Sequence, residues 1–582
     1  MSSLLRKIFF WRRRGPNDTH WKIAEIAPDE VMIDSSNLGD FDTTQLEGRL
    51  EKPISKFILY SIGGIFLIMA TVFLVQAWNL QVTHGEEYKT RSENNLLRPV
   101  PIFAGRGVIT DRKGALLAWN APLDNLEVSG NATSSDDIAS TRQYATSTGL
   151  SHVLGYVQYP SKDKNGFYYQ DDFEGVDGVE KYFNKELQGV NGSRLVEVDA
   201  RGQIMSENVV RPPEQGKNIT LSIDSGVQSA LYANIKDIAD RVGFTGGAGV
   251  IMDVRTGEII ALTSYPEYSS QVMSDRSDVA RVKAMLTNTN LPFLNRAVDG
   301  LYTPGSIVKP YMALAVLTEN IIDPSKILYT TGSISIQNPY DPTKSTLFKD
   351  WRNNGALDIR HALAVSSDAY FYIVSGGYEN QKGIGIVKID KYMRLFGLGE
   401  LMPESFVQGK AGVIPSPEWK KDTFKEDWYL GNTYHTSIGQ YGFQVTAVQM
   451  VRAVAALANN GNLLVPDILK KENSNTEKVI TDIPLKNYTV VREGLRLAVT
   501  DGITKVLNAP YTEVSAKTGT AELGVSKEKV NSWVTGFWPY NDPKYAFALI
   551  LEKGSVHNIV GAAVAMRQQL DWMNSHTPEY FK

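Results

Sequence analysis

The chain has 582 residues, too many for one ordinary domain, and a composition of 42% hydrophobic and 21% charged residues suits a globular protein with sizeable cores. A net charge of -4 and an isoelectric point near 6.1 give no basic balance for gripping a phosphate backbone, which argues against nucleic acid as a partner. With no cysteine there is neither a disulfide nor a thiolate metal ligand, so the compartment has to be read from other features.

Residues 1–55 are polar, with a basic cluster at Arg12-Arg-Arg14, acidic residues at Asp29, Glu30, Asp34, Asp40 and Asp42, and no sustained periodicity. Such a segment buries too little to fold alone and reads as a mostly disordered tail. An uncharged apolar stretch runs from Phe57 to Val75. It is about long enough for a bilayer core of roughly 30 Å, so residues 56–77 are expected to form a transmembrane helix. Arg6, Lys7, Arg12, Arg13, Arg14, Lys52 and Lys56 precede it, whereas Glu86 and Glu87 follow. That asymmetry leaves the N-terminus cytoplasmic and the long remainder extracytoplasmic. A cleaved signal peptide and a buried core helix are the alternatives; the late start and the lack of a small-x-small cleavage site favour a retained single-pass anchor.

Beyond the span, Gln76 to Asn95 reads as a polar helical extension. Gly105 to Ala118 alternates and turns at Arg112-Lys-Gly114, a hairpin signal. The stretch from 121 to 218 holds short strand-like pieces, such as Ser193–Asp199 before a turn at Arg201-Gly202, and no catalytic cluster. Residues 78–217 are therefore expected to form an elongated, β-rich pedestal. At Pro212-Pro213 the composition shifts, and Asn218–Asp224 opens a second extracytoplasmic domain, 218–582. Its predicted elements are a helix over Ser225–Val242, a hairpin of Gly247–Asp253 and Glu258–Ser264 about Arg255-Thr-Gly257, and mainly helices from Pro310 to Asn460, including Ala447–Leu457. Strands then return near Asn487–Val491, Glu513–Ala521, Trp533–Trp538 and Tyr545–Glu552, before a closing helix over Val560–Met573. Strands first, helices between and strands last imply an α+β (α/β) domain with an antiparallel sheet closed by both chain ends.

Where the first strands give way to helices lies Tyr302-Thr-Pro-Gly-Ser-Ile-Val-Lys-Pro310, which sets Ser306 three residues before Lys309 as an apolar helical pattern begins. Residues three apart on a helix share a face, and a serine at a helix start has its hydroxyl among backbone N–H groups that lack intrahelical partners. Ser161-Lys-Asp-Lys164 and Ser526-Lys-Glu-Lys529 fit the same spacing, but in hydrophilic surroundings that read as surface. Two further short matches follow in order: Ser366-Ser-Asp368 at the head of a helix-like run, and Lys517-Thr-Gly519 inside a strand-like run. Ser-x-x-Lys, Ser-x-Asn or Asp, and Lys-Thr-Gly together resemble the signature set of the penicillin-binding proteins and serine β-lactamases.

An alcohol is a poor nucleophile at neutral pH, so Ser306 needs a base, and Lys309 is the nearest candidate. A lysine serves as base only when neutral, a form that burial and a second cation at Lys517 would favour. Ser366 would relay a proton between the lysines and the departing amine, or simply cap its helix. Lys517 and Thr518, followed by Gly519 and Thr520 on the same edge strand, would bind the carboxylate and backbone of an incoming peptide. Backbone N–H groups of Ser306 and Thr520 would form the oxyanion hole. The rival arrangement, His361 or His435 with Asp358 or Asp368, lacks a Gly-x-Ser-x-Gly elbow, and no His-Glu-x-x-His is present for zinc.

From about residue 96 to the end the chain is similar to class B penicillin-binding proteins. Arg106-Gly-Val-Ile-Thr-Asp-Arg112, Gly178-Val-Glu-Lys181 with Gly189 and Gly192, Asn295-Arg296, Ser437-Ile-Gly-Gln440 and Ala458-Asn-Asn-Gly461 carry the resemblance. Ser366-Ser-Asp368 before Tyr370-Phe-Tyr372, with Asp350-Trp351 upstream, resembles the elongation-type penicillin-binding protein 2 branch. Two positions depart from the pattern, Tyr441 in place of a glycine and Ala447 in place of a proline. The resemblance implies a peptidoglycan D,D-transpeptidase. Ser306 would attack the terminal D-alanyl-D-alanine of a stem peptide carried on a lipid-linked precursor and pass the acyl group to a neighbouring stem. It further implies substrate contacts through Asp368, Thr518, Gly519 and Thr520, acylation by β-lactams, and a RodA-type glycosyltransferase as partner. The expected location is the plasma (inner) membrane. No cofactor and no metal are expected, because the zinc site of some relatives uses a cysteine. A D,D-carboxypeptidase or β-lactamase using the same residues, and a β-lactam sensor or scaffold that binds without turnover, remain as alternatives.

Overall fold

The computed structural model describes residues 55–89, 97–122, 140–163, 168–198, 204–276, 278–338, 341–470 and 476–582. The expected tail up to residue 54, the last residues of the extension toward Asn95 and the turn at Arg201-Gly202 lie outside them. Ser55 caps the first helix by accepting a hydrogen bond from the Phe57 N–H, and α1 (Lys56–Trp78) continues through one wider turn, Asn79–Thr83. At 1.5 Å per residue its 23 residues span about 35 Å, enough for a bilayer core. None of its residues is buried, with Phe57, Phe66 and Phe73 each about two-thirds or more exposed.

The unit from Asn94 onward begins with β1 (Leu97–Ile102), β2 (Ile109–Thr110), β3 (Leu116–Pro122), β4 (Ser140–Tyr144), β5 (Gly192–Val198) and β6 (Ile204–Arg211). These form two small sheets, β1-β5-β6 and a second in which β2-β3-β4 is completed by Ile219–Thr220, running parallel to β2. The strand at the expected domain boundary is thus shared with the pedestal. On the short helix Gly178–Tyr182, Glu180 is fully buried and receives both Arg106 Nε at 2.5 Å and Arg142 Nε at 2.8 Å.

The elements that position the site include α2 (Ser225–Val242), β7 (Gly246–Asp253), β8 (Ile259–Tyr265), α3 (Lys309–Thr318), β9 (Ser333–Asn338), β10 (Asp341–Lys349), α4 (Ile359–Val365), α5 (Asp368–Gly376), α6 (Leu430–Ser437), α7 (Ala447–Ala458), α8 (Leu485–Thr500), β11 (Ser515–Leu523), β12 (Lys529–Trp538), β13 (Tyr545–Ser555) and α9 (Ala562–His576). One five-stranded antiparallel sheet, in the order β8-β7-β13-β12-β11, organises them, so the first hairpin pairs with the last strand and β11 lies at the edge. Alternate residues enter opposite cores, as the two-residue period of a strand requires. Ala546, Ala548 and Ile550 join the core on the side of α7, whereas Phe547, Leu549 and Leu551 join that of α2 and α9. Burial on both faces explains why these strands read as nearly unbroken apolar runs.

Two parts differ from the sequence expectation. Asn487–Val491, expected as a strand from its β-branched residues, belongs to helix α8. Tyr488, Val491, Leu495 and Val499 recur every three or four residues along one buried face, which packs on α4, so tertiary burial overrides a weak local preference. The hairpin β9–β10 interrupts the mainly helical stretch. Its signal was the alternation of Ile334 and Ile336 with polar neighbours.

Candidate active site

Ser306 lies in a single tight turn, Gly305–Val308, that runs directly into α3, with the Lys309 N–H donating to the Ser306 carbonyl. Every residue of α3 from Lys309 to Leu317 is buried, so the lysine is carried into the core by the helix that begins at the serine. Neighbouring segments tie the turn down. The Gly305 N–H donates to the Gly439 carbonyl at 3.0 Å, Trp533 Nε1 donates to the Thr303 carbonyl at 3.0 Å, and Tyr302 exchanges two backbone bonds with Val445. At Gly439, with φ of +76°, a Cβ would stand 2.2 Å from the Gly305 carbonyl oxygen, which only glycine permits. A Cβ at Gly519 would stand 2.8 Å from the Pro304 carbonyl oxygen, so a bare backbone is what lets β11 lie against the turn.

The lysine expected three residues after the serine does not stand alone. Lys309 Nζ donates to the Ser366 carbonyl at 2.7 Å, to Ser366 Oγ at 3.3 Å and to Asp368 Oδ1 at 2.5 Å. From the other side Lys517 Nζ reaches the same Ser366 Oγ at 2.8 Å and its neighbour's carbonyl, that of Thr518, also at 2.8 Å. The serine hydroxyl therefore bridges two fully buried lysines. Burial, reinforced by the nearby Lys309 cation and opposed by Asp368, holds Lys517 well below the usual lysine range. Lys517 is thus pushed toward its neutral form.

Ser366 does not cap a helix from its N-terminus, the simpler role considered for it. It closes α4 with φ of +58°, in the left-handed region, while Ser367 accepts the Tyr370 N–H as the cap of α5. Asp368 follows as the first residue of α5 and is paired with Lys309. Tyr441 also adopts a left-handed backbone, φ +61°, and its ring meets Trp419 and Trp428 edge to face, so the loop that usually turns on glycine is held here by aromatic packing. Ala447 starts α7 behind a reciprocal cap between Thr446 and Gln449, which defines the helix start without a proline.

Ser306, Trp351, Ser366, Asp368, Ile503, Thr518 and Thr520 line one cleft of about 510 Å³. A slightly larger recess, about 580 Å³, lies where Gln143–Ser151 meet Glu267–Gln271; it has no serine beside a buried lysine, and chemistry rather than size selects the cleft at Ser306. Neither His361 nor His435 is among the residues of that cleft. His361 Nδ1 lies 2.7 Å from Asp358 at the exposed start of α4, and His435 packs on the Phe348 ring. Trp351 belongs to the Asp350-Trp351 pair that carries the family resemblance, whereas nothing local in the sequence marks Ile503 as a lining residue.

Residues 247–567 match the family described as penicillin binding protein transpeptidase domain, and residues 137–221 match the penicillin-binding protein dimerisation domain. The chain is 28% identical to the peptidoglycan D,D-transpeptidase MrdA of Escherichia coli K12, over 87% of this chain and 92% of that protein. It is similar to a crystal structure of Pseudomonas aeruginosa PBP2 in complex with WCK 5153, at 27% identity and a TM-score of 0.64, covering 82% of this chain and 98% of the other. A chain in a solved structure described as "Structural coordination of polymerization and crosslinking by a peptidoglycan synthase complex" matches at 26% identity and a TM-score of 0.66, over 88% of this chain and 98% of that one.

Proposed function

The chain belongs to the penicillin-binding protein transpeptidase family, and on that premise we propose that it is a membrane-anchored peptidoglycan D,D-transpeptidase of cell-wall elongation, working through an acyl-enzyme on Ser306. One observation carries the reading: Ser306, Ser366 and Asp368 line a cleft whose wall holds two buried lysines joined by one serine hydroxyl. The relatives named as D,D-transpeptidase support the reaction class. We take residues 1–55 as a cytoplasmic tail, 56–77 as the span, 78–217 as the pedestal and 218–582 as the catalytic domain.

The proton inventory follows from the geometry. Lys309 is engaged by a carboxylate and a carbonyl, and Lys517 is the lysine whose neutral form is favoured. A proton moved from Lys309 Nζ to Ser366 Oγ, as the Ser366 hydroxyl proton moves to Lys517 Nζ, leaves Lys309 neutral and Lys517 charged. Lys309 then accepts the Ser306 hydroxyl proton as the serine oxygen attacks the penultimate D-alanine carbonyl, and charged Lys517 meets the terminal carboxylate beside Thr518 and Thr520. The stem peptide runs along the free edge of β11 as an added strand, with Gly519 letting the nucleophile turn lie against that strand and the Ser306 and Thr520 N–H groups receiving the oxyanion. Lys309 returns its proton to the departing D-alanine amine. An amine from a second stem then attacks the acyl carbon and gives its proton to Lys309, which passes it to Ser306 Oγ as the serine leaves.

The charge asymmetry around α1 supports a cytoplasmic N-terminus. Similarity to a chain of a complex that couples polymerization to crosslinking supports a membrane glycosyltransferase partner of the RodA type. The test is covalent labelling of the full-length protein by a fluorescent penicillin, followed by cross-link formation from lipid-linked precursor with a RodA-type partner present. Labelling lost in Ser306→Ala and cross-links in the wild type are expected. Label retained in that variant removes Ser306 as nucleophile; label without cross-links favours a sensor.

A further inference from the structure

We propose that Asp350 and Trp351, at the base of the hairpin β9–β10, are positioning residues that hold Ser366 in its left-handed conformation between the two lysines. The inference rests on the reading of Ser366 as the bridge between Lys309 and Lys517. Ser366 is not a glycine, and φ of +58° is a conformation that side chains with a Cβ rarely adopt. The conformation is what presents its carbonyl and its hydroxyl together to Lys309, and the hydroxyl also to Lys517. Something must fix it, and the residue on each side of Ser366 is tied to the same dipeptide.

On one side the Trp351 indole Nε1 donates to the Val365 carbonyl at 3.2 Å. On the other, Asp350 Oδ2 accepts from Ser367 Oγ at 2.6 Å and from the Ala369 N–H at 3.1 Å. The second carboxylate oxygen, Oδ1, accepts the Trp351 N–H at 2.8 Å, which joins the two halves of the clamp. The dipeptide is itself anchored: the Asp350 N–H donates to the Gly332 carbonyl at 2.8 Å, and Asn354 Nδ2 donates to Asp350 Oδ2 at 3.2 Å. Burial does not explain Trp351, which is 53% exposed, with the Arg352 guanidinium 4.3 Å over its ring. An exposed tryptophan whose one donor is spent on the carbonyl just before a strained serine serves orientation more than core packing. The carboxylate of Asp350 also sits at the start of α5, where aligned N–H groups favour an anion, and α5 carries Asp368 into its contact with Lys309. The hairpin thus acts on both partners of Lys309 without touching the lysine.

The experiment compares Trp351→Phe, Asp350→Ala and the double variant with the wild-type full chain in detergent micelles. It measures the second-order rate of acylation by a fluorescent penicillin from pH 5 to 9, together with thermal unfolding. Trp351→Phe keeps an aromatic face toward the cleft and removes the Nε1 donor with the second ring, so we expect its acylation to fall about tenfold with unfolding little changed, as a small misplacement of a reacting group produces. Asp350→Ala is expected to fall further, and the double variant no lower than Asp350→Ala, because both act through one serine. Both single variants are also expected to shift the pH at which the rate rises, which a merely structural role would not do. Wild-type rates and an unshifted profile in folded Trp351→Phe and Asp350→Ala overturn the clamp; if Asp350→Ala does not fold, Trp351→Phe alone decides. Ser366→Ala is run in parallel. Impaired Ser366→Ala beside unimpaired clamp variants removes the clamp only, whereas wild-type acylation by Ser366→Ala removes the reading of Ser366 and the clamp with it.

Discussion

The pedestal and the candidate cleft each bury two cations near one carboxylate, and the choice of cation separates them. In the pedestal, Glu180 receives Arg106 and Arg142, and Arg106 also donates to the Phe173 and Glu180 carbonyls and Asn184 Oδ1. Arginine does not give up its proton in proteins, so that cluster can only be held or broken. In the cleft, Asp368 receives Lys309, and Lys517 completes the set through the Ser366 hydroxyl. A buried lysine can lose its proton, so the same excess of positive charge that makes a fixed joint at Glu180 leaves room for a proton to move at Ser366.

Exchanging the cation type breaks the comparison most sharply. Lys517→Arg keeps a charge for a substrate carboxylate and removes the neutral form, so acylation by penicillin is expected to drop about 10²- to 10⁴-fold in a folded protein. In the wild type the rate should fall as pH drops through the depressed Lys517 value, because protonation removes the acceptor for the Lys309 proton. Lys517→Arg should lack that limb; a variant within tenfold of the wild type would remove Lys517 from the proton route. In the pedestal, Glu180→Gln leaves two buried guanidinium groups without their carboxylate and should cost about 3–5 kcal/mol of stability, read by urea unfolding. Acylation per folded molecule should stay within a fewfold of the wild type.

His152 gives a third test, on pH alone. It is buried against Tyr268, and burial, with the Arg296 charge adding to it and Asp177 opposing, pushes it down to about 4. The folded state then binds fewer protons than the unfolded chain, whose histidine titrates near 6.5. Stability is accordingly full above about 6.5 and declines as pH falls toward 4, by on the order of 3 kcal/mol over that window. Thermal unfolding as a function of pH should show the decline, and His152→Gln should flatten it. The smallest effect is expected at an exposed pair such as Lys505 with Asp501, where Lys505→Ala should change stability by less than about 0.5 kcal/mol in the same unfolding measurement.

Much of the fold was legible because burial leaves a period in the chain. The strands of the central sheet, apolar on both faces, and α1, apolar all round, could be bounded to within a few residues. Helix α8 could not, since Tyr488 and Val491 look like strand residues until the face they bury is known. Ser306 and Lys309 share a helix start because three residues of spacing are enough to say so, whereas the position of Lys517 beside Ser366 involves residues 151 apart in the chain. By itself the sequence determined one apolar helix long enough to cross a bilayer, the order of the β-rich part and the transpeptidase part after it, and the three short segments at Ser306, Ser366 and Lys517. Only the tertiary structure decided that Asp368 engages Lys309, that burial presses Lys517 toward neutrality, and that Asp350 and Trp351 contact the residues on either side of Ser366. The physical reason is that local periodicity is written in neighbours along the chain, while charge, desolvation and backbone strain are set by whatever the fold brings within a few ångströms.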